Sequence, residues 1–298
     1  MRDEWSKFRD VNGVNTHHLE AGSGPPLLLI HGGGAFSCGE MNWGYVISPF
    51  SSNFRVFAPD QIGFGFTPLP HNDYSLGARG EHMINFIESL GLGPMYVVGN
   101  SHGGWLATYV SVKRPDLVRK LVIVNSGSTS SLLSIESPGI REEFPTMFSA
   151  DAYTKLPTLE GVRKSLMQHT FRKELVTDER VKRAYEIAVR NHHFHSEREK
   201  ATQNSIDARN HNVSINGRHI SEYVHDLKMP VLLIWGKYDE GVARLENGLK
   251  LHQKIPGAEM HIFDNAKHLP MVDSPHRFVS VVNNFLAFQN DRYLPDQP

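Results

Sequence analysis

A serine lies in a glycine-flanked turn where a nucleophile can act. The stretch Gly99-Asn-Ser101-His-Gly103 follows the apolar run 95–98 and precedes a helical pattern. Small residues on both sides allow a sharp strand-turn-helix bend on which the hydroxyl of Ser101 is exposed. Because a serine hydroxyl is barely nucleophilic at neutral pH, this position requires a base and a carboxylate that orients the base. The motif in this context predicts a serine nucleophile.

Two later residues can supply the carboxylate and the base. Asp239 follows the apolar run 230–236, and His268 follows the next run, 260–263. In chains with this serine motif the acid comes next and the histidine last, each in a loop after a strand. We therefore predict a catalytic triad of Ser101, Asp239 and His268.

Other acids fit the orienting role less well. Glu240 is one position away from the motif, and we expect Asp60 and Asp264 to be structural. The loop after the preceding core strand holds Asn125 and Ser126, so it offers no competing carboxylate.

A second glycine-rich loop can stabilise the negative charge that forms when the serine attacks. Gly32, Gly33 and Gly34 follow the apolar run 26–30. We predict that the backbone amides of Gly33 and His102 form the oxyanion hole. The loop lacks the Lys-Ser/Thr ending of a P-loop and the Gly-x-Gly-x-x-Gly spacing, which argues against nucleotide binding.

These residues must be positioned by a sheet with helices on both faces. Short apolar runs alternate with helical patterns, which predicts βαβ units and a mostly parallel α/β sheet. The predicted strands are 11–19, 26–30, 55–59, 95–98, 121–124, 230–236 and 260–263, and the predicted helices are 76–90, 103–114 and 276–288. The turn at 21–25 predicts a hairpin-like opening. Between 130 and 226 the alternation disappears, so we predict a helical cap at 130–226 inserted into a core of 1–129 and 227–298.

Composition narrows the class of protein further. Of 298 residues, 40% are hydrophobic and 21% charged, which is typical of a globular chain. The 31 Lys and Arg residues nearly balance the 32 Asp and Glu residues, which argues against nucleic-acid or membrane partners. The single Cys38, with no apolar run long enough for a signal or a membrane span, predicts a cytoplasmic protein. Adjacent histidines at 192–195 point in different directions on a helix, so we expect no metal and no cofactor.

Several motifs together resemble the α/β-hydrolase superfamily, and more closely its meta-cleavage product hydrolases, which split carbon-carbon bonds. The motifs are His31-Gly-Gly-Gly34, Asn42-Trp43, Asp60-Gln-Ile-Gly-Phe-Gly65, Gly99-Asn-Ser-His-Gly-Gly104, Gly236-Lys-Tyr-Asp239 and, in the cap, Val176-Thr-Asp-Glu179 with Tyr185-Glu186. The resemblance implies an α/β-hydrolase fold and a small-molecule substrate, a 2-hydroxy-6-oxo-dienoate left by ring cleavage. It also implies a homo-oligomer, commonly a dimer.

The resemblance further implies which residues line the pocket. Gly32, Gly34, Asn42 and Asn100 would bind substrate, although both asparagines could equally tie loops together through their amides. Leu269 follows His268 where the family has a tryptophan, and we predict that it also binds substrate.

The cap departs from the family at the position that binds the substrate carboxylate. Ala184 precedes Tyr185, where the family has an arginine. Arg183 is the expected substitute, with Arg180 and Arg190 as other cap cations that could serve. A pocket for a substrate without a carboxylate is the alternative.

Three other functions remain open at this point. An esterase or lactonase would use the same triad with a different cap pocket. Gly103-Gly-Trp105 also resembles the nucleophile region of cofactor-free dioxygenases of the same fold. A receptor or binding module would keep the serine for geometry alone.

Overall fold

A computed structural model describes residues 3–70, 75–130, 156–202, 214–215, 218–240 and 243–287. The strands, numbered β1 to β10 in chain order, are Ser6–Val11, Val14–Ala21, Pro26–Ile30, Arg55–Pro59, Met95–Asn100, Val118–Val124, Ser214–Ile215, Arg218–His219, Val231–Gly236 and Glu259–Phe263. The α-helices, numbered α1 to α9, are Gly39–Ser51, Leu76–Leu90, His102–Lys113, Gly127–Ser130, Leu159–His169, Asp178–Thr202, Leu245–Lys254, Pro270–Asp273 and Pro275–Ala287. Short 3₁₀ helices cover Asp3–Trp5, Pro115–Leu117, Lys173–Leu175, Ile220–Glu222 and Val224–Asp226.

One eight-stranded sheet forms the centre of the fold, with the strand order β1-β2-β4-β3-β5-β6-β9-β10. The strands from β4 to β10 in that order are parallel, and β2 is antiparallel to both of its neighbours, β1 and β4. The carboxyl ends of parallel strands meet at one edge of a sheet. The loops that follow β3, β5, β6, β9 and β10 therefore lie along the same edge.

Both faces of the sheet are buried, as the apolar runs predict. Side chains alternate between two hydrophobic clusters: Leu28 belongs to one cluster, and Leu27 and Leu29 belong to the other. Helices α2, α3 and α7 contribute to the first cluster, and α1 and α9 to the second. The α/β-hydrolase fold predicted from the sequence is confirmed.

The amino-terminal prediction was wrong in two respects. Asn12 and Gly13 have positive φ values of 51° and 85° and form a tight turn. The predicted strand 11–19 therefore begins too early, because β1 ends at Val11 and β2 begins at Val14. Asn-Gly is the residue pair that a two-residue hairpin favours. The predicted hairpin-like opening across 21–25 does not form either, because β4 lies between β2 and β3.

Two core helices, α1 and α7, were also missed. Helix α1 contains Pro49 and Gly44, which weaken a helical sequence signal. Its first turn is capped by Cys38, whose sulfur accepts a hydrogen bond from the amide of Met41.

The described part of the predicted cap consists mainly of α5 and α6. Val162, Leu166, Val181 and Ile187 from these helices form a third hydrophobic cluster, which reaches Cys38 and Met41 at the start of α1. The short pair of β7 and β8 was not predicted, because two-residue strands carry no periodicity. Much of the predicted segment 130–226, namely 131–155, 203–213 and 216–217, lies outside the described residues.

Candidate active site

Ser101 occupies a strained turn between β5 and α3. Its φ is 56° and its ψ is −123°, a combination that a residue with a side chain rarely adopts. The chain can bend this sharply because its neighbours are glycines. A Cβ atom at Gly99 would collide with the carbonyl of Gly103, and one at Gly103 would collide with the carbonyl of Ile30.

Hydrogen bonds from β6 and its loop hold this turn in place. The amide of Ser101 donates to the carbonyl of Val124 at 2.9 Å, and the hydroxyl of Ser126 donates to the carbonyl of Ser101 at 2.6 Å. The same carbonyl accepts the amide of Gly104 at 2.9 Å in the first turn of α3. The strain at Ser101 is therefore supported by its surroundings.

Asp239 and His268 are brought together, as the sequence predicts. Nδ1 of His268 lies 2.7 Å from Oδ2 of Asp239. The same carboxylate accepts a hydrogen bond from the side-chain amide of Asn125, and its other oxygen accepts the amide of Glu240 at 2.8 Å. Since Nδ1 donates to the carboxylate, Nε2 of His268 keeps its lone pair and can take a proton.

Asn125 has a role that the sequence did not indicate. Its side-chain oxygen accepts the amide of Gly236 at 3.1 Å, and its side-chain NH₂ donates to Asp239. With a φ of 43°, Asn125 adopts the left-handed conformation that asparagine tolerates. It thus fixes the loop after β9 to the loop after β6.

The environment of His268 raises the pKa of its ring above that of a free imidazole. Burial alone would lower the pKa of His268, but the charge of Asp239 and the hydrogen bond to it raise the pKa above 6.5. A base with such a pKa accepts a proton readily near neutral pH.

Two asparagines connect the turn at Ser101 to the loop of His268. Nδ2 of Asn100 donates to the carbonyl of His268 at 3.2 Å and to that of Val124 at 3.3 Å. Nδ2 of Asn42 donates to Oδ1 of Asn100 at 2.8 Å. The amides thus tie loops together, and a direct contact of either residue with substrate stays a prediction.

The glycine loop after β3 lies against the turn of Ser101. A Cβ atom at Gly32 would lie 3.3 Å from Cβ of Ser101, and one at Gly33 would collide with the imidazole of His102. His102 is the first residue of α3, where amide groups have no acceptor within the helix. The two predicted oxyanion donors therefore lie on neighbouring segments.

His31 fixes the shape of the glycine loop. Burial lowers the pKa of His31 to about 4, so the ring is neutral. Its Nδ1 donates to the carbonyl of Gly32 at 2.7 Å, and its Nε2 accepts the amide of Gln61 at 2.9 Å. At the far end of the loop, the amide of Gly34 donates to the hydroxyl of Ser37 at 2.8 Å.

Helix α5, in the predicted cap, supplies a histidine that sequence reasoning missed. His169, the last residue of α5, has its ring centroid 5.4 Å from that of His268, in an edge-to-face arrangement. Burial lowers the pKa of His169, and the charge of His268 lowers it further. Its Nδ1 donates to the carbonyl of Ser165 at 2.7 Å. One histidine among seventeen carries no sequence signal of such a position.

The expected carboxylate ligand, Arg183, has other partners. Its guanidinium contacts Glu40 at 2.6 Å and Glu186 at 3.2 Å. Two carboxylates thus neutralise this side chain. Arg190 has its guanidinium 4.3 Å from the ring centroid of Phe66.

Arg180 differs from these two arginines. Residues four apart share a helix face, and Arg180 lies one turn before Ala184. Ala184 is fully buried in the third hydrophobic cluster. Only 8% of Arg180 is exposed, and its Nη2 has no hydrogen-bond partner within the described parts of the chain. Its Nη1 contacts the carbonyl of Leu175 at 3.3 Å.

Three further residues singled out in the sequence differ in their burial. Leu269 belongs to the hydrophobic cluster of α1 and α9. Asp60 accepts hydrogen bonds from the amides of Gly39 and Phe66, at 2.7 and 2.9 Å, whereas Asp264 is paired with Lys237 on the surface.

A hydrogen-bonded series of a serine, a histidine and an aspartate lies away from the turn of Ser101. The hydroxyl of Ser6 lies 2.9 Å from Nε2 of His17, and Nδ1 of His17 lies 2.8 Å from Oδ2 of Asp60. Ser6 lies in a regular strand, and the ring of His17 lies between those of Phe8 and Phe66. Ser6 therefore has the hydrogen bonds of a triad without a strained turn, and the strained turn is what marks Ser101 as the candidate nucleophile.

No group of three or more histidine, cysteine, aspartate or glutamate residues in the described ranges is arranged to hold a metal ion. In the tract 192–195, the side chains of Phe194 and His195 lie outside the described residues. Among the helices of the described segments, none is long and apolar enough to cross a bilayer.

Comparison with known proteins agrees with this architecture. The family model for the alpha/beta hydrolase fold matches residues 25–275. A 2-hydroxymuconate semialdehyde hydrolase of Pseudomonas putida is 31% identical over 92% of this chain and 92% of its own length. The 2-hydroxy-6-oxo-6-(2'-aminophenyl)hexa-2,4-dienoic acid hydrolase of Metapseudomonas resinovorans is 30% identical over 96% of this chain and 92% of its own length.

A solved structure of a related hydrolase has the same fold. The meta-cleavage product hydrolase of Pseudomonas fluorescens IP01 superposes with a TM-score of 0.78 at 26% identity, covering 96% of this chain and 98% of that one. The resemblance drawn from the motifs is therefore confirmed. This chain is an enzyme of the α/β-hydrolase fold family, and its relatives in that family include hydrolases of meta-cleavage products.

Proposed function

We propose that this enzyme hydrolyses a carbon-carbon bond next to a ketone in a 2-hydroxy-6-oxo-dienoate-type ring-fission product, with Ser101, Asp239 and His268 as its triad. The chemistry is supported by the 2.7 Å pair of His268 and Asp239, which is tied to the strained turn of Ser101 through Asn100. The substrate class is supported by relatives that are 30% and 31% identical over more than nine-tenths of this chain.

In this mechanism the dienol first becomes the keto form through a proton shift. His268 then takes the proton of the Ser101 hydroxyl, and the serine oxygen attacks the oxo carbon. The carbon-carbon bond breaks, the departing carbon takes the proton from His268, and a water molecule later releases the acyl group from the serine. Amides of Gly33 and His102 stabilise the transient oxyanion.

The substrate assignment can be tested by comparing kcat/KM for a 2-hydroxy-6-oxo-dienoate with kcat/KM for simple aryl esters. We expect the dienoate to be preferred by at least about 100-fold, because only the dienoate offers a carboxylate and a ketone at the same time. Faster turnover of the esters would favour the second candidate, an esterase or lactonase with the same triad. A cofactor-free dioxygenase would instead consume oxygen, which an oxygen electrode detects in the same assay.

Arg180 is the cap cation that we assign to the substrate carboxylate. Burial lowers the pKa of Arg180, while Tyr45 and Asp273 raise it, and a buried guanidinium without full pairing is costly. A bound carboxylate would offset that cost. Arg180 interacts with the charge of Asp273, whose carboxylate binds the loop of His268. This interaction supports a position of Arg180 near the triad.

Replacing Arg180 with Gln should raise KM for the dienoate about 10- to 100-fold, with a smaller change in kcat, because a charge-assisted contact to the substrate is lost. The matched control is Arg183→Gln, which breaks the pair with Glu40 and should leave KM within about threefold. An ester without a carboxylate should show the same KM in both variants. Equal effects of the two substitutions on dienoate KM would exclude Arg180 as the ligand.

Three further features of the protein remain predictions. They are a cap spanning 130–226, a homodimer, and a cytoplasmic location. Light scattering of the purified chain would determine the oligomeric state.

A further inference from the structure

Asp273 joins three segments of the protein at one buried carboxylate. Its Oδ1 accepts the amides of Phe171 and Arg172, at 2.9 and 3.1 Å, and its Oδ2 accepts the amide of Lys267 at 3.0 Å. The side chain is 1% exposed and belongs to α8, immediately after the His268 loop. One oxygen therefore holds the cap, and the other holds the residue before His268.

The cap segment bound to Asp273 also contacts both triad loops directly. His169 packs against the ring of His268 at 5.4 Å, and Phe171 stacks on Tyr238 at 5.3 Å with an interplanar angle of 23°. Tyr238 is the residue before Asp239. Residues 169–172, which we name the cap strap, thus cover the pair of Asp239 and His268 from one side.

We propose that Asp273 is a positioning residue, which fastens the cap strap to the His268 loop and so keeps His268 aligned with Asp239. This inference rests on the proposed role of His268 as the base. It explains why a charged side chain is buried here, since three backbone donors would otherwise lack this acceptor.

Several charged groups lie in and around the strap. Within the cap, Arg172 is paired with Glu174 at 2.8 Å, and Lys173 donates to the carbonyl of Thr170 at 2.7 Å. Asp239 faces His268 from the β9 loop, His169 faces it from the cap, and the ammonium of Lys267 is paired with Glu240. Arg180 is the charged group that faces Asp273. Burial raises the pKa of Asp273, while its three amide partners and Arg180 lower it.

Asp273→Asn tests this proposal with almost no change in volume. One oxygen becomes an NH₂ group, which must face either the strap amides or the amide of Lys267, a donor against a donor. We expect kcat/KM to fall about tenfold or more, because an acceptor with a charge is lost at one of the two segments.

The pH profile gives the readout that a merely structural role would not change. In the wild type, kcat/KM falls as the pH drops through the pKa of His268, because the protonated ring cannot act as a base. Asp239 raises that pKa, so a loosened pair should move this acid limb to lower pH by about half a unit to one unit.

Asp60→Asn is the matched control, because Asp60 is also buried and accepts two backbone amides and a histidine but touches neither the strap nor the His268 loop. It should lower the melting temperature and leave the acid limb in place. An unmoved acid limb in Asp273→Asn, or an equal shift in Asp60→Asn, would overturn the proposal. If the wild type itself shows no acid limb, the assigned role of His268 fails instead.

Discussion

Substitution of Ser101 by alanine should lower kcat by at least about 10⁴-fold, because the nucleophile is removed while binding and the oxyanion donors remain. The fold should persist, since the strained turn is held by backbone and Ser126 contacts that do not involve the Ser101 hydroxyl. Steady-state turnover of the dienoate measures the loss, and the melting temperature verifies folding.

The hydrogen-bonded series of Ser6, His17 and Asp60 offers a control for this experiment. Ser6→Ala removes the hydroxyl that contacts His17 and should leave turnover unchanged, because Ser6 lies in a regular strand and not on an exposed turn. A fluorophosphonate probe followed by mass spectrometry should label wild type and Ser6→Ala, but not Ser101→Ala. Labelling that disappears in Ser6→Ala would mean that Ser6, and not Ser101, is the nucleophile.

Asp239→Asn should lower kcat about 10³- to 10⁴-fold while KM changes little. The carboxylate now accepts from His268, from Asn125 and from the amide of Glu240. An NH₂ group in its place must oppose one of these donors, and the charge that stabilises the protonated His268 is lost. Turnover and KM for the dienoate, measured together, test this expectation.

Glu240 provides the matched control for the acid. It is adjacent in sequence, carries the same charge and is paired with Lys267 at the surface. Glu240→Gln should change kcat less than about threefold, as expected for an exposed ion pair. A large loss in Glu240→Gln with a small loss in Asp239→Asn would mean that the acid had been placed one residue too early.

The fold and the order of the active-site loops could be predicted from the sequence, because both depend on patterns of neighbouring residues. Buried parallel strands appear as short apolar runs, and a turn as sharp as that at Ser101 tolerates only small neighbours at Gly99 and Gly103. The amino-terminal hairpin was misread although its Asn12-Gly13 signal was present, because the strand before the turn, β1, is mostly polar and gives no apolar run. Helix α1 gave too weak a pattern because Pro49 and Gly44 interrupt it.

Contacts between segments that are distant along the chain could not be predicted in this way. Arg183 was chosen because it adjoins Ala184, yet one residue on a helix turns a side chain by about 100°, and Glu40 on another element binds it. Asn125 was noted only for not being an acid, whereas in the structure it holds Asp239.

What the residue order determined by itself is the buried parallel strands, the strained serine turn and the two loops that supply an acid and a base. What only the tertiary structure decided is which polar groups meet at the sheet edge: Asp273 with the cap strap, His169 with His268, and Arg180 with an Nη2 group that has no hydrogen-bond partner among the described residues. The physical reason is that local propensity acts over a few residues. Hydrogen bonds and ion pairs between the cap and the core depend instead on how separately formed elements pack.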